Sequence, residues 1–254
     1  MASGVRIYYA CLDHLTLIMM STSDPITSTV MSKIRREGFS IVPGIVDESL
    51  RREMLRDIEE SFSSSSAGVR GLARKIESVR RFAQSPTIRA LVEPVLGSRA
   101  KLVRSILFNK NEDANWQVAW HQDLAIAVQE RVECVGFGSW SMKDGTPHVQ
   151  PPVEILEQMI NLRLHLDAAD EENGALWVSP GSHLLGRLPA AEAADTAKRL
   201  GTRLCAVNAG DVLLFRPLTL HASRKVTSGH PRRVIHLEFA GASLPAPLSW
   251  AERV

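Results

Sequence analysis

Apolar positions fall with helical spacing over the first third of the chain and with strand spacing over most of the rest. In "DESLRREMLRDIEESF", Leu50, Met54, Leu55 and Ile58 form one stripe at three- and four-residue intervals, and Asp47 can cap the helix. "SDPITSTVMSKIRREGF" predicts an earlier helix, with Asp24 as cap, Pro25 in the first turn and Gly38 as the stop. "FSIVPG" reads as a short strand, "SSSS" as a loop, and "SVRRFAQSPTIRALVEPVLG" as two short helices around Pro86. From residue 100 the period changes. "KLVRSILF", "QVAWHQD", "MINLRLHLD", "ALWVSP", "TRLCAVN", "DVLLF", "LHAS" and "RRVIHLEFA" are short and strand-like, punctuated by "ENG", "SPGS", "NAGD" and "SGHP".

Helices followed by about eight strands predict a mainly β fold, with the N-terminal helices packed on one side of a two-sheet barrel. Eight antiparallel strands form a jelly roll of the cupin kind. The expected organisation is a weakly ordered extension over 1–24, then a single domain over 25–254. Its helical part is 25–99 and its jelly-roll core 100–240. "RLPAAEAADTAKRLG" is a helical insertion or lid. The Gly- and Pro-rich segment 129–152 is a long loop expected to act as a lid and shape substrate choice, with His148 in it and His183 in the "SPGSH" loop.

The 254 residues carry 30 basic and 28 acidic side chains, a formal charge of +2, which makes no electrostatic case for nucleic acid or a membrane surface. No apolar run approaches the roughly 20 residues of a spanning helix. Cys11, Cys134 and Cys205 are widely spaced, without a C-x-x-C, as expected of a reduced, cytoplasmic protein.

Two H-x-D tripeptides stand out: His121-Gln122-Asp123 in "VAWHQDLAIAV" and His165-Leu166-Asp167 in "NLRLHLD". On a strand, residues two apart share a face. His121 and Asp123 would then converge, as metal ligands or as an ordinary ion pair, and the tripeptide alone decides neither. Downstream, His221 and Ser223 share a face in "LHAS", and Arg232 heads the next strand. A His-x-Asp with a distant His is the ligand set of a non-haem iron(II) oxygenase. A buried Arg with a neighbouring hydroxyl can clamp a carboxylate. Together these meet the requirements of 2-oxoglutarate: chelation through its keto-acid end, a clamp on its far carboxylate, and a position left for O₂.

The ordered set "GFSIVPGIVDESL", "WHQD", "NGALWVSPGSH", "AGDVLLF" and "LHAS…PRRVIHLEFA" resembles the phytanoyl-CoA dioxygenase family of Fe(II)/2-oxoglutarate-dependent oxygenases, over roughly residues 30 to 240. The resemblance implies a double-stranded β-helix. It assigns His121, Asp123 and His221 to Fe(2+), and Arg232 with Ser223 to the far carboxylate of 2-oxoglutarate. It implies a small-molecule substrate and O₂ as the other partners. The expected reaction is hydroxylation of an aliphatic C–H with release of succinate and CO₂. The Asp argues against halogenation, because relatives that halogenate lack that carboxylate. Desaturation, ring expansion and epimerisation stay open as outcomes of the same chemistry, and two rivals of other kinds remain: a cupin-type isomerase or hydrolase using zinc or manganese, and a non-catalytic jelly-roll binding module.

His165 and Asp167 rank second, as strand-end polar residues feeding the "DEENG" turn. In "RRVIHLEF", Arg232, Val234, His236 and Glu238 share one face. Arg233, Ile235, Leu237 and Phe239 share the other, apolar face, which would pack on the helices. This parity favours Arg232 over Arg233 as the clamp and makes His236 a hydrogen-bonded core residue. Arg104, Phe108 and Lys110 line the cosubstrate site or a solvated strand edge. Trp120 and Gln122 face away from His121, and Trp116 and Trp140 are candidate pocket walls.

Overall fold

The computed structural model describes residues 25–63, 66–111, 114–227 and 230–253; the expected extension over 1–24, with Asp24 and Cys11, lies outside them. The N-terminal part runs α1 (Pro25–Glu37), β1 (Phe39–Val42), α2 (Glu48–Ser61), β2 (Gly68–Arg70), α3 (Leu72–Lys75), α4 (Glu77–Gln84) and α5 (Pro86–Leu96). Gly38 ends α1 at φ +84°, where a side chain would be strained. Asp47 caps α2 by accepting from Leu50 N at 2.8 Å, and Ser85 caps α5 ahead of Pro86.

The β part runs β3 (Lys101–Lys110), β4 (Val118–His121), β5 (Ile126–Ala127), β6 (Gly138–Lys143), β7 (Thr146–Gln150), a short α6 (Val153–Leu156), β8 (Met159–His165) and β9 (Leu176–Val178). It ends with α7 (Ala193–Leu200), β10 (Arg203–Cys205), β11 (Val212–Phe215), β12 (His221–Ser223) and β13 (Arg232–Ala240). Every strand read from the alternation is present. One sheet has the order β1-β11-β8-β13-β3-β2 and a second the order β10-β9-β12-β4, with antiparallel pairing throughout. The two sheets meet where Leu176, Val178 and Cys205 of the smaller pack on Phe39, Leu213 and Phe215 of the larger.

The helices cover the outer face of the six-stranded sheet. Leu162, Leu164, Ile235, Leu237 and Phe239 point out to Met54, Leu72, Phe82 and Leu91, as the alternation requires. The opposite face of the same strands carries Asn161, Arg163, Arg232, His236 and Glu238, all buried. A strand enclosed on both faces cannot mark its inner side by exposure; here polar residues mark it, because that side walls a cavity. No helix among the described residues is long and apolar enough to cross a membrane. Cys134 and Cys205 are free thiols.

Two expectations need correction. Segment 129–152 is not all loop: from Gly138 to Gln150, β6 and β7 form a hairpin that, with β5, makes a three-stranded sheet. Its signals were hidden because Gly138 and Pro147 lie inside strands and the β6 register slips between Gly138 and Ser141. His148 is a buried strand residue whose Nδ1 bonds Thr146 O at 2.9 Å, and His183 lies in a 3-10 turn, Ser182–Leu185.

Candidate active site

The pocket opens between the two main sheets, with a volume of about 430 Å³. On one wall β12 pairs with β4, and His221 is the register partner of His121. Their ring centroids are 4.2 Å apart. Backbone carbonyls fix both rings: His121 Nδ1 is 2.9 Å from Ala119 O, and His221 Nδ1 is 2.9 Å from Thr219 O. A carbonyl can only accept, so Nδ1 carries the proton and Nε2 keeps its lone pair. The two Nε2 atoms converge on Asp123, at 3.7 Å from Oδ1 and 3.6 Å from Oδ2.

Asp123 does not reach this position by strand alternation, as its spacing from His121 suggested. The strand ends at His121. The backbone beyond it is held by Asp123 N donating to Pro217 O at 2.9 Å. The carboxylate is turned by Asn161, whose Nδ2 donates to Oδ2 at 2.7 Å from the opposite sheet. Gln122 does turn away, bonding Gly186 O and Leu218 O. Trp120 packs outside the pocket against Ala193, Ala197 and Leu220.

The donor set suits a divalent transition metal. One ligand atom from each of His121, Asp123 and His221 lies within 4.8 Å of the others. Burial pushes the His221 imidazole down to about 4, so it is neutral near pH 7. Burial opposes ionisation of Asp123, but His221 and His121 outweigh it and hold the carboxyl down at about 2. Two imidazoles and one carboxylate on one side of a cavity leave further coordination positions facing the open space.

Farther along the cavity the charge changes sign. Arg232 on β13 is 2% exposed; its Nη1 donates to Gly174 O at 2.5 Å and its Nε finds no partner among the described residues. Arg163 on β8 lies over the Phe108 ring, 5.4 Å from the centroid, also with an orphaned Nε. Ser223 and Trp116 complete this end. Burial first, then Arg163, pulls the Arg232 guanidinium down to about 9. Among the described residues neither guanidinium has a carboxylate within ion-pair distance, and burying cations in that way is costly; the arrangement suits an anion. Arg233 cannot receive one there, since it faces the helices, bonding Asp167 through its backbone N, Nε and Nη2 and Glu59 through Nη1. Asp167 is therefore an ion-pair partner rather than a turn former. His165 is buried, with neither ring nitrogen bonded.

At the other end Arg70, Arg104, Lys143 and Gln150 line the cavity with Leu124 and Ala125. Arg104 pairs with Glu238 at 2.8 Å, and His236 Nε2 lies 3.3 Å from Glu238 Oε1. β3 is thus no solvated edge: Arg104 and Phe108 line the cavity and Lys110 is buried behind it. Trp116 lines the pocket, whereas Trp140 packs on the apolar cluster that contains Leu156 and Trp250. Arg70, Lys143, Gln150, Asn161 and Arg163 are site residues that the sequence did not single out; the last two lie on one strand face. Their signal was the polar face of "NLRLHLD", which reads equally well as a solvent face until the second sheet is in place.

The sequence profile of the phytanoyl-CoA dioxygenase family (PhyH) matches residues 34–234. A search of curated proteins finds no match. Among solved structures, the chain is similar to the non-heme alpha ketoglutarate dependent epimerase SnoN from nogalamycin biosynthesis, at 21% identity and TM-score 0.64, over 90% of this chain and 87% of that one. The carbocyclase SnoK from the same biosynthesis matches at 16% identity and TM-score 0.64, over 84% and 83%. HygX from Streptomyces hygroscopicus, solved with nickel and 2-oxoglutarate bound, matches at 16% and 0.61, over 84% and 85%. These likenesses share the fold of the two-sheet barrel described above. With four fifths of its length matched, the chain belongs to the phytanoyl-CoA dioxygenase family, and is an Fe(II)- and 2-oxoglutarate-dependent oxygenase.

Proposed function

We propose that the enzyme hydroxylates an aliphatic C–H bond of a small-molecule metabolite. The substrate R–H, O₂ and 2-oxoglutarate become R–OH, succinate and CO₂. The observation that carries this reading is the convergence of His121 Nε2, His221 Nε2 and the Asp123 carboxylate on one side of a cavity whose far end holds cations that no carboxylate among the described residues pairs. These three residues would hold iron(II), which supplies the redox chemistry that activates dioxygen.

The protein's own groups bind and orient. Arg232 and Ser223 receive the far carboxylate of 2-oxoglutarate by charge-assisted hydrogen bonds. Asn161 holds Asp123 in its ligating orientation, and Ala119 O and Thr219 O hold the two imidazoles. Phe108, Leu176, Ile106 and Val118 line the intervening space and keep water from the reacting atoms. The substrate enters from the side of Arg70, Arg104, Lys143 and Gln150, against Leu124 and Ala125. A carboxylate at position 123 leaves no vacancy for halide, which favours hydroxylation over halogenation.

Substrate-stimulated succinate release, measured with Fe(II) and 2-oxoglutarate across a panel of small molecules, tests the proposal. A product heavier by one oxygen atom supports it. A product isomeric with its substrate, or poorer by two hydrogens, replaces hydroxylation with another outcome of the same chemistry.

A further inference from the structure

Lys110 is the last residue of β3 and the register partner of Arg232. It is fully buried. Among the described residues no carboxylate pairs with it. Its Nζ donates to Ser223 Oγ at 3.0 Å and to Arg224 O at 2.7 Å, and lies 5.3 Å from the centroid of Trp116. The neighbourhood is already positive: Arg232 stands across the strand pair and Arg163 is close enough to repel the ammonium. Among the described residues nothing makes this third buried cation a member of an ion pair. Nor does Lys110 line the open cavity; Ser223 and Arg232 stand in front of it.

A serine hydroxyl both donates and accepts, and its direction is set by its neighbours. An ammonium can only donate. With Lys110 bonded to Ser223 Oγ, the hydroxyl proton is driven away from Lys110 and toward the cavity. We propose that Lys110 is a positioning residue for the cosubstrate: it turns Ser223 into an obligate donor, aimed with Arg232 at the far carboxylate of 2-oxoglutarate. The Arg224 carbonyl bond fixes the ammonium for this task. Gly174 makes room for it: at φ +76°, an added Cβ would come within 2.8 Å of Arg224 O and 3.6 Å of Lys110 Nζ. The inference rests on Arg232 and Ser223 being the carboxylate site.

The test compares two ligands of equal length, 2-oxoglutarate and 2-oxopentanoate, which lacks the far carboxylate. Their affinities are measured by calorimetry on the Fe(II)-loaded enzyme without oxygen. Lys110→Gln should weaken 2-oxoglutarate binding by about tenfold or more, the scale of one charged hydrogen bond, and leave 2-oxopentanoate unchanged. Lys110→Arg should recover part of the loss. In a Ser223→Ala background Lys110→Gln should cost much less, because the two residues act through one hydrogen bond. Equal losses for both ligands would make Lys110 a scaffold residue and overturn the proposal, as would an unchanged 2-oxoglutarate affinity. If Lys110→Gln does not fold, Lys110→Arg decides: its preference for 2-oxoglutarate over 2-oxopentanoate must fall below that of the wild type, and an unchanged preference would overturn the proposal. An unchanged preference in Arg232→Ala would instead refute the carboxylate site itself.

Discussion

His121 and His221 are 100 residues apart in sequence and directly opposite one another on antiparallel strands, so each ring is placed by the same ladder that places the other. Asp123 closes the group from beyond the strand end. Three donors set by one strand pair and one carboxylate give a sharp expectation. Asp123→Ala or His121→Ala should abolish the rise in melting temperature on adding Fe(II) and abolish 2-oxoglutarate turnover. Succinate release at the wild-type rate in either variant would refute the assignment.

Asn161 touches Asp123 and no other member of the proposed iron site, so it would act on the metal only through that carboxylate. Removing a partner that orients a metal ligand typically costs 10- to 100-fold in metal affinity or activity. Asn161→Ala should show a loss of about that size in Fe(II) affinity, read by competition with a chelator. Substituting Asp would crowd two carboxylates together and should bind metal with altered pH dependence. An Asn161→Ala protein with wild-type metal affinity would mean that Pro217 O alone positions Asp123.

The adjacent arginines should separate cleanly. Arg232→Ala should raise the 2-oxoglutarate dissociation constant by ~10² to 10⁴, from two charged hydrogen bonds of ~1.5–3 kcal/mol each. Arg233→Ala should leave that constant alone and lower stability by about 1–2 kcal/mol, since its pair with Asp167 is about four-fifths buried on both sides. Denaturant melts and calorimetry read the two effects independently, and a reversed pattern would place the clamp on the wrong residue.

Cosubstrate affinity should fall as pH rises through neutrality. Burial, then Arg232 and Arg163, pull the Lys110 ammonium down to about 7 in the free protein. His165, on β8 beside Arg163, is neutral throughout this range because burial holds its imidazole well below its usual value. A bound carboxylate favours the charged lysine and raises its pKa, so binding takes up a proton. Below pH 7 the ammonium is already formed and affinity is full. Above pH 7 affinity should decline by up to tenfold per pH unit until the raised pKa of the complex is passed. Calorimetry in buffers of different ionisation enthalpy detects the proton directly, and the slope should vanish in Lys110→Gln.

Much of the architecture was legible before any coordinates. The stripe of Leu50, Met54 and Ile58, the cap at Asp47 and the alternation in "NLRLHLD" and "RRVIHLEF" are local signals, each readable within a few residues. The alternation even separated Arg232 from Arg233, because Ile235, Leu237 and Phe239 had to meet the helices. It failed where local rules do not hold. Asp123 lies past the end of its strand, so its shared face with His121 comes from backbone and side-chain bonds rather than from the pleat. The β6–β7 hairpin was hidden by a Gly, a Pro and a register slip.

The sequence by itself determined which residue types face which side of each element, and it held the ordered motifs of the family. Tertiary structure decided which of those faces became a site. The polar side of β8 became a cavity wall only because a second sheet covers it, bringing Asn161 to Asp123. Lys110 gained its contacts with Arg232 and Ser223 only through the pairing of β3 with β13 and the approach of Ser223 from the other sheet. Periodicity records burial and exposure along one element; it carries no information about which distant element supplies the partner. That is settled by strand register and sheet packing, where one hydrogen-bonded ladder fixes atoms a hundred residues apart to within a few ångströms.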